Sequence, residues 1–503
     1  MLQRNRLLLI GLDAADSELT KHFMDDGDMP RLASIREHGG FSSLGSTIPP
    51  QTAPAWTSMT TGVNPGKHGI YYFYNFSTTP LTIVNASHTS TPRIWDYVGA
   101  LQMRSVVVNV PVTYPAQEIL GSMVSGIPPW YFDAKSVYPA SLFERLERSG
   151  YEIETPMSRG LEKRPEVLVD RVVATEEKRV ELLVNLLREK EWSFGMIVMT
   201  ALDRLQHKVV GKGAREDAAL RRCYREIDRL VGEITDSLGS QVNYIVASDH
   251  GFNERPLAFY PNSWLYKQGL LRRKSSFRNR LTKLGHDIFD GHLLWLPQGL
   301  TKRFQGAATS IDSIDAVDLG ASRAFVPGTD GVMVARSEED QKAIISGLSE
   351  LTDESGRAVC KVLRRDQVYT GDNVGSGPDL LIVPRDDINI RTDPFSRSVV
   401  STSGNFTKGN HSSEGILLGI GPDLTRSGML EVTVQDVAPT CLVLMGIRPP
   451  QSMDGRVIRE MLAEQFPVES LEPADVVADN RAYAFTEKEE KEVMDNLKRL
   501  GYT

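Results

Sequence analysis

Six short runs of uninterrupted apolar residues punctuate the chain, each closing on a polar or glycine-bearing turn. They are RLLLIGLD ending at Asp13, RSVVVNVPV around Val108, FGMIVMTALD ending at Asp203, VNYIVASDH ending at His250, PDLLIVP around Leu381, and GILLGIGP around Leu418. A strand with one wet face alternates apolar and polar positions, whereas a strand covered on both faces does not. These runs therefore read as parallel strands inside a covered sheet. Between them the apolar spacing becomes helical, notably over 165–190 and 215–239. Strand and helix in alternation predict an α/β fold, with a mostly parallel central sheet and helices on both faces.

Two stretches break the alternation. Residues 71–100 form an aromatic-rich excursion carrying Tyr71, Tyr72, Phe73, Tyr74 and Phe76, and residues 255–375 read as an inserted cap or lid. The expected organisation is a catalytic core over 1–254 and 376–465, the insertion between its parts, and a tail over 466–503. The tail ends in an amphipathic helix with a capping signal at Thr486. At 503 residues the chain exceeds what one core commonly serves, which suits one large domain with insertions or two to three lobes. Segment 267–304 holds nine Lys/Arg against two Asp, with Leu, Phe and Trp interleaved. Three readings of it are open: a solvated helical cap, a lid for an anionic substrate, or an interfacial helix in contact with a membrane.

Composition narrows the function classes. A net charge of −8 leaves no basic footprint for duplex nucleic acid. Cys223, Cys360 and Cys441 are odd in number and far apart, so neither a disulfide framework nor a thiolate zinc site is indicated. The apolar run before Asp13 is too short for a signal segment, and the expected address is the cytoplasm, with peripheral membrane association through 267–304 as the alternative.

The chemistry gathers where strands end. Ligands of open α/β sheets bind outside the carboxyl ends of the strands, so Asp13, Asp203 and Asp249 are expected to converge on one crevice. Asp203 and His207, four residues apart, share one face of a helical turn. His250 follows Asp249 directly, and His411 lies in a polar, glycine-bearing loop just before a strand. Carboxylate and imidazole together suit zinc or another borderline divalent ion. Thr52 precedes Pro54 at the start of a helix, where unpaired N–H groups favour a phosphate. Its hydroxyl needs a metal to become a nucleophile. Thr57, Ser58, Thr60 and Thr61 compete with it, but would lie within the helix with backbone partners.

The segment TAPAWTSMTTGVNPGKHGI resembles the nucleophile block of the type I phosphodiesterase/nucleotide pyrophosphatase branch of the alkaline phosphatase superfamily. LDRLQH resembles that family's PDxxGH, ASDHGF its SDHGM, and GNHSSEGILLGIGP its GxHG…GxGP, all in family order. NSWLYKQGLL, PDLLIVP, DVAPTCLVLMGIRPPQSMDGRV and EKEVMDNLKRLGY are similar to the predicted phosphohydrolase/phosphomutase branch. The resemblance implies an alkaline-phosphatase-like fold and two divalent ions, zinc or else manganese or magnesium. Asp203, His207 and His411 would hold one ion. Asp13, Asp249 and His250 would hold the other, with Thr52 bridging toward it as the nucleophile. His68 matches a family position that is not a ligand and reads as structural. Sulfatase chemistry lacks its Cys/Ser-x-Pro-x-Arg motif here.

There are departures from the pattern. Ala55 stands where nucleotide pyrophosphatases carry an asparagine that hydrogen-bonds the transferred phosphoryl group, and Leu202 and Gln206 replace the proline and glycine of PDxxGH. The replacement donor is expected from the Thr52 backbone N–H or from Lys67; Lys67 and Ala53 are the candidate substrate contacts. The implied function is hydrolysis of a phosphodiester or pyrophosphate bond through a phosphothreonine. The substrate would be a phosphorylated small molecule, a nucleotide or a lipid-linked group. Phosphomonoesterase or phosphomutase chemistry is the alternative, and a catalytically silent binding protein has little reason to keep the whole ligand set.

Overall fold

The computed structural model describes residues 6–78, 81–89, 91–156, 164–274, 316–402, 408–463, 472–473, 476 and 482–500. Among these residues nine strands form the central sheet: β1 (Arg6–Leu12), β2 (Phe41–Gly45), β3 (Ser105–Val110), β4 (Gly121–Ser125), β5 (Val137–Tyr138), β6 (Phe194–Met199), β7 (Val242–Ala247), β8 (Glu414–Ile420) and β9 (Val432–Thr433). Their order is β9-β2-β8-β7-β1-β6-β3-β4-β5. The centre is parallel: β1 lies between β7 and β6, and β6 pairs with β3 in the same sense.

Burial on both faces explains the uninterrupted apolar runs. Along β1, Leu8, Ile10 and Leu12 join one hydrophobic core, while Leu7 and Leu9 join a second on the opposite face. The first core takes in α2 (Pro165–Glu189), α3 (Ala201–Val209) and α4 (Ala214–Leu238), through side chains such as Leu183, Leu205 and Ile227. The second core takes in α1 (Thr52–Thr61) and α5 (Val437–Leu444), through Trp56, Met59, Ala438 and Leu442. Fully burying a leucine, isoleucine or methionine among them contributes roughly 1.5–3 kcal/mol.

Two of the expected parallel strands behave differently. The GILLGIGP run forms β8, which is antiparallel to both β7 and β2. A continuous apolar run reports burial on two faces, and burial carries no information about direction. The PDLLIVP run, Leu380–Pro384, is outside the central sheet. It pairs antiparallel with Val332–Ala335 and with Cys360–Arg364, over a third core that includes Trp264, Phe325, Ile344 and Ile382. Among the described residues, Leu257–Phe259, Ile388–Ile390 and Val400–Thr402 form a further small sheet of three strands. Most of the basic segment 267–304 lies outside the described residues.

The tail does end in a helix, Glu487–Leu500. Thr486 Oγ1 accepts from the Glu489 N–H at 3.3 Å and Glu489 Oε2 accepts from the Thr486 N–H at 2.7 Å, a reciprocal cap. Val493 and Leu497 are fully buried in the first core, and Glu490 Oε1 accepts from the Ile83 N–H, which docks the helix on the aromatic excursion. Among the described residues no helix is long and apolar enough to cross a membrane.

Candidate metal centre

The carboxyl ends of β1, β6 and β7 lie side by side because β1 sits in register between the other two. Each strand delivers an acid there. Leu12 gives way to Asp13, and Met199 leads into α3, which carries Asp203 in its first turn and His207 in its last. Ala247 leads through Ser248 to Asp249 and His250. The turn after β1 is tight, with Ala14 at a φ of 60°. A non-glycine residue held there costs about 1–3 kcal/mol, so its surroundings must impose it. They do: the Ala14 N–H donates to Asp249 Oδ1 at 3.3 Å, and its carbonyl accepts from Gln206 Nε2 at 2.8 Å. Gln206, in place of the family glycine, thus stitches α3 to the strand end that bears Asp13.

His411 arrives on a ribbon, not the loop expected from sequence. Gly251–Glu254 and Gly409–Ser412 pair antiparallel, with Phe252 opposite His411. Pairing with the chain just after His250 fixes the register of His411 against that residue, and the two rings stack at 4.1 Å.

The predicted residues come together. His207 Nε2 lies 3.2 Å from Asp203 Oδ1 and 3.0 Å from His411 Nε2, which is itself 3.3 Å from Asp203 Oδ1. Beside this triangle, His250 Nε2 lies 3.2 Å from Asp249 Oδ2 and 3.8 Å from Asp13 Oδ1. Thr52 Oγ1 is 3.3 Å from the same His250 Nε2. All seven side chains are buried, the most exposed being His207 at 9%.

Charge shows what this cluster lacks. Burial and the neighbouring Asp249 and Asp203 push the Asp13 carboxyl well above its ordinary range. Burial and Asp203 do the same to Asp249. Burial alone would raise Asp203, but His207, His411 and Arg204 hold it well below its usual value. Burial depresses His207 and His250. It would depress His411 too, yet the Asp330 and Asp203 carboxylates override it and lift that imidazole to about 10. Among the described residues nothing donates a hydrogen bond to Asp13 Oδ1 or Asp249 Oδ2, although both are buried. Two imidazole Nε2 atoms 3.0 Å apart need a proton or a cation between them. Three buried carboxylates, three imidazoles and unpartnered carboxylate oxygens fit divalent cations. Asp203, His250 and His411, and likewise Asp13, Asp249 and His250, each offer ligand atoms within 4.8 Å of one another.

The helix that begins with Thr52 is equally specific. Gln51 caps α1: its Oε1 accepts from the Ala53 N–H at 3.0 Å and its carbonyl accepts from the Ala55 N–H at 3.0 Å. Pro54 has no N–H, so the Thr52 N–H is the first-turn donor left without an acceptor among the described residues. The competing hydroxyls are engaged. Thr57, Thr60 and Thr61 donate back to the carbonyls of Ala53, Trp56 and Thr57, and Ser58 meets His68 Nε2 at 2.9 Å. His68 is fully buried and held to about 3, by burial and then by Arg93, which suits a structural role. The candidate substrate contacts fare differently. The Ala53 N–H is taken by Gln51, and Lys67 Nζ bonds Asp454 Oδ1 at 2.5 Å and the Ser452 carbonyl at 2.8 Å.

The support behind Asp203 emerges only in the folded chain. Arg204, with no exposed side-chain surface, donates to Asp203 Oδ2 at 2.8 Å and to Glu154 Oε2 at 2.9 Å. Its place inside LDRLQH was the available signal. Removing one member of a buried ionic network strands the others, so Arg204→Met is expected to cost about 3–5 kcal/mol in denaturant unfolding. A loss below ~1 kcal/mol would mean that the Glu154 and Asp203 charges are screened some other way.

Phosphonoacetate hydrolase from Sinorhizobium meliloti 1021, solved with phosphonoacetate, superposes with a TM-score of 0.57 at 16% identity, covering 88% of this chain and 96% of that one. Murine ectonucleotide pyrophosphatase/phosphodiesterase 5, solved as an inactive variant with AMP, gives 0.54 at 13% identity over 88% and 95% of the two chains. Its human counterpart gives 0.54 at 13% identity over 88% and 94%. Comparison with curated protein sequences gives no match. At these identities the neighbours speak for the shared α/β fold. Residues 7–414, which include every predicted ligand, match the type I phosphodiesterase/nucleotide pyrophosphatase family, and the chain belongs to that family of phosphoester hydrolases.

Proposed function

We propose that the protein hydrolyses a phosphodiester or pyrophosphate bond of a phosphorylated small molecule or nucleotide, with Thr52 as nucleophile beside two divalent cations. Asp203, His207 and His411 would hold one cation, and Asp13, Asp249 and His250 the other. The mixed carboxylate and imidazole donors favour zinc. When bound, the cations supply Lewis acidity that lowers the hydroxyl pKa and neutralises charge on the phosphoryl oxygens. The observation that carries this reading is the Thr52 hydroxyl at 3.3 Å from His250 Nε2, a member of the Asp13, Asp249 and His250 triad, with the Asp203, His207 and His411 triad beside it.

In the first step Thr52 Oγ1 bonds to phosphorus as the bond to the leaving oxygen breaks; the hydroxyl proton passes to solvent, and the leaving oxygen takes one up where its basicity requires. In the second, water adds to phosphorus, the Oγ1–phosphorus bond breaks, and the threonine is regenerated. The Thr52 N–H at the start of α1 donates to a phosphoryl oxygen, helped by the positive end of the helix. It takes the place of the asparagine that Ala55 replaces, since Lys67 is committed to Asp454.

Metal analysis alongside turnover of bis-p-nitrophenyl phosphate and p-nitrophenyl phosphate tests the proposal. Two metal equivalents per chain with the diester turned over faster is the expected result. A monoester preference would favour the phosphomonoesterase alternative, and metal-free protein with neither activity would leave a binding protein.

A further inference from the structure

His411 has two sides. Its Nε2 faces Asp203 and His207, while Nδ1 points the other way, 3.2 Å from Asp330 Oδ1 and 3.1 Å from the Pro50 carbonyl. Asp330 lies 81 residues before His411, in a segment that contributes no motif to the catalytic reading. Its placement is nevertheless built with care. Tyr72 of the aromatic excursion donates to Asp330 Oδ2 at 3.0 Å. The tyrosine ring packs so closely on Gly328 that a Cβ there would stand 2.2 Å from its hydroxyl oxygen. Gly331 turns the chain at a φ of 85°, and its carbonyl accepts from the Ile382 N–H at 2.8 Å. Asn262 clasps both backbone groups of Val326, and Asn410, next to His411, donates to the Thr329 carbonyl at 3.1 Å. The loop 326–331 is thus fixed at both ends, and the carboxylate it carries is buried at 8% exposure against the imidazole.

We propose that Asp330 is a positioning residue of the metal centre: it holds the proton of His411 on Nδ1, so that the Nε2 lone pair faces the cation shared with Asp203 and His207. This rests on the proposed two-cation reading and adds to it a carboxylate that touches neither cation nor substrate. A carboxylate behind a ligating histidine fixes its tautomer and ring orientation and raises its basicity, and losing such a partner commonly costs about 10–100-fold in metal affinity. The Pro50 carbonyl would still accept from Nδ1 after Asp330 is removed, which places the expected loss near the lower end. Pro50 also stands two residues before Thr52, so the same ring joins the inserted segment to the nucleophile turn.

The test is a zinc titration of the full-length chain against a competing chelator, with Asp330→Ala, Asp330→Asn and the unaltered protein side by side. The unaltered protein is expected to bind two equivalents. In Asp330→Ala one of the two should weaken by about 10-fold or more while the other holds. Asp330→Asn retains an oxygen acceptor for Nδ1–H and should recover most of the affinity, an ordering that a purely structural defect would not produce. Cobalt-loaded samples should show the altered ligand field of one site in the visible spectrum of Asp330→Ala. If Asp330→Ala fails to fold, Asp330→Asn and Tyr72→Phe carry the comparison. Tyr72→Phe releases one side of the carboxylate and is expected to weaken the same single equivalent by a smaller factor. Unchanged affinity for both equivalents in the folded variants overturns the role of Asp330 and leaves the two-cation reading standing. An unaltered protein that binds no zinc overturns the two-cation reading itself.

Discussion

Replacing Thr52 with alanine is expected to lower turnover by roughly 10⁶-fold, the scale on which losing a hydroxyl nucleophile acts in a hydrolase whose remaining machinery is intact. Folding should not suffer. Thr52 occupies the first position of α1, where alanine is well tolerated, and the Gln51 cap bonds Ala53 and Ala55 without using the threonine side chain. Metal content should also hold, because six acid and imidazole side chains remain in place around the missing hydroxyl. Thr52→Ser keeps the oxygen and should retain turnover within about 10–100-fold, since the nucleophilic atom and its N–H neighbour are unchanged. Steady-state rates with a chromogenic diester, together with metal analysis of each variant, separate the outcomes. Residual activity in Thr52→Ala above about 1% of the original would transfer the chemistry to another oxygen. The helix offers none readily, because Thr57, Thr60, Thr61 and Ser58 are each held by a partner within or beside it.

Much of this site was legible because its residues sit at positions that physical rules single out. Asp13, Asp203 and Asp249 mark strand ends, where an α/β sheet opens its crevice. Helical spacing tied His207 to Asp203, and adjacency tied His250 to Asp249. What could not be read were features that exist only after folding. The direction of β8 depends on which neighbour it meets, and its apolar run would look the same either way round. The Leu380–Pro384 run is as apolar as the central strands, yet it finds its partners in Val332–Ala335 and Cys360–Arg364, because a local antiparallel sheet buries it equally well. His411 looked like a loop residue because the four-residue ribbon that carries it has no strand-like pattern. Asp330 and Glu154 escaped for a deeper reason. Each acts on another side chain, His411 or Arg204, and a supporting carboxylate has no sequence signature of its own.

Stripping the cations is the other large effect expected, and its dependence on pH follows from the raised groups. In the cation-free protein Asp13 and Asp249 are held above the ordinary carboxylate value of 3.8, and His411 is held at about 10 rather than 6.5. Each folded-state value is raised, so the contribution these groups make to stability is fully present below their unfolded values. It is lost as pH rises through the folded ones. Asp203, His207 and His250 are held low and contribute in the opposite sense, so the weakening with rising pH comes from the raised groups alone, for His411 between 6.5 and about 10. The loaded protein runs the other way. Coordination requires ionised carboxylates and a free Nε2 lone pair, so binding expels protons and tightens as pH rises. At a free metal concentration a thousand times Kd, binding contributes about 4 kcal/mol to stability. The drop in Tm on adding a chelator should accordingly be larger at pH 8 than at pH 5.5, and hydrolysis should cease at both. Calorimetric titration of metal into stripped protein, repeated in buffers of different ionisation enthalpy, should show net proton release. Proton uptake, or a Tm indifferent to chelation at both pH values, would mean that the buried acids and imidazoles neutralise one another without a cation, and the catalytic reading would lose its foundation.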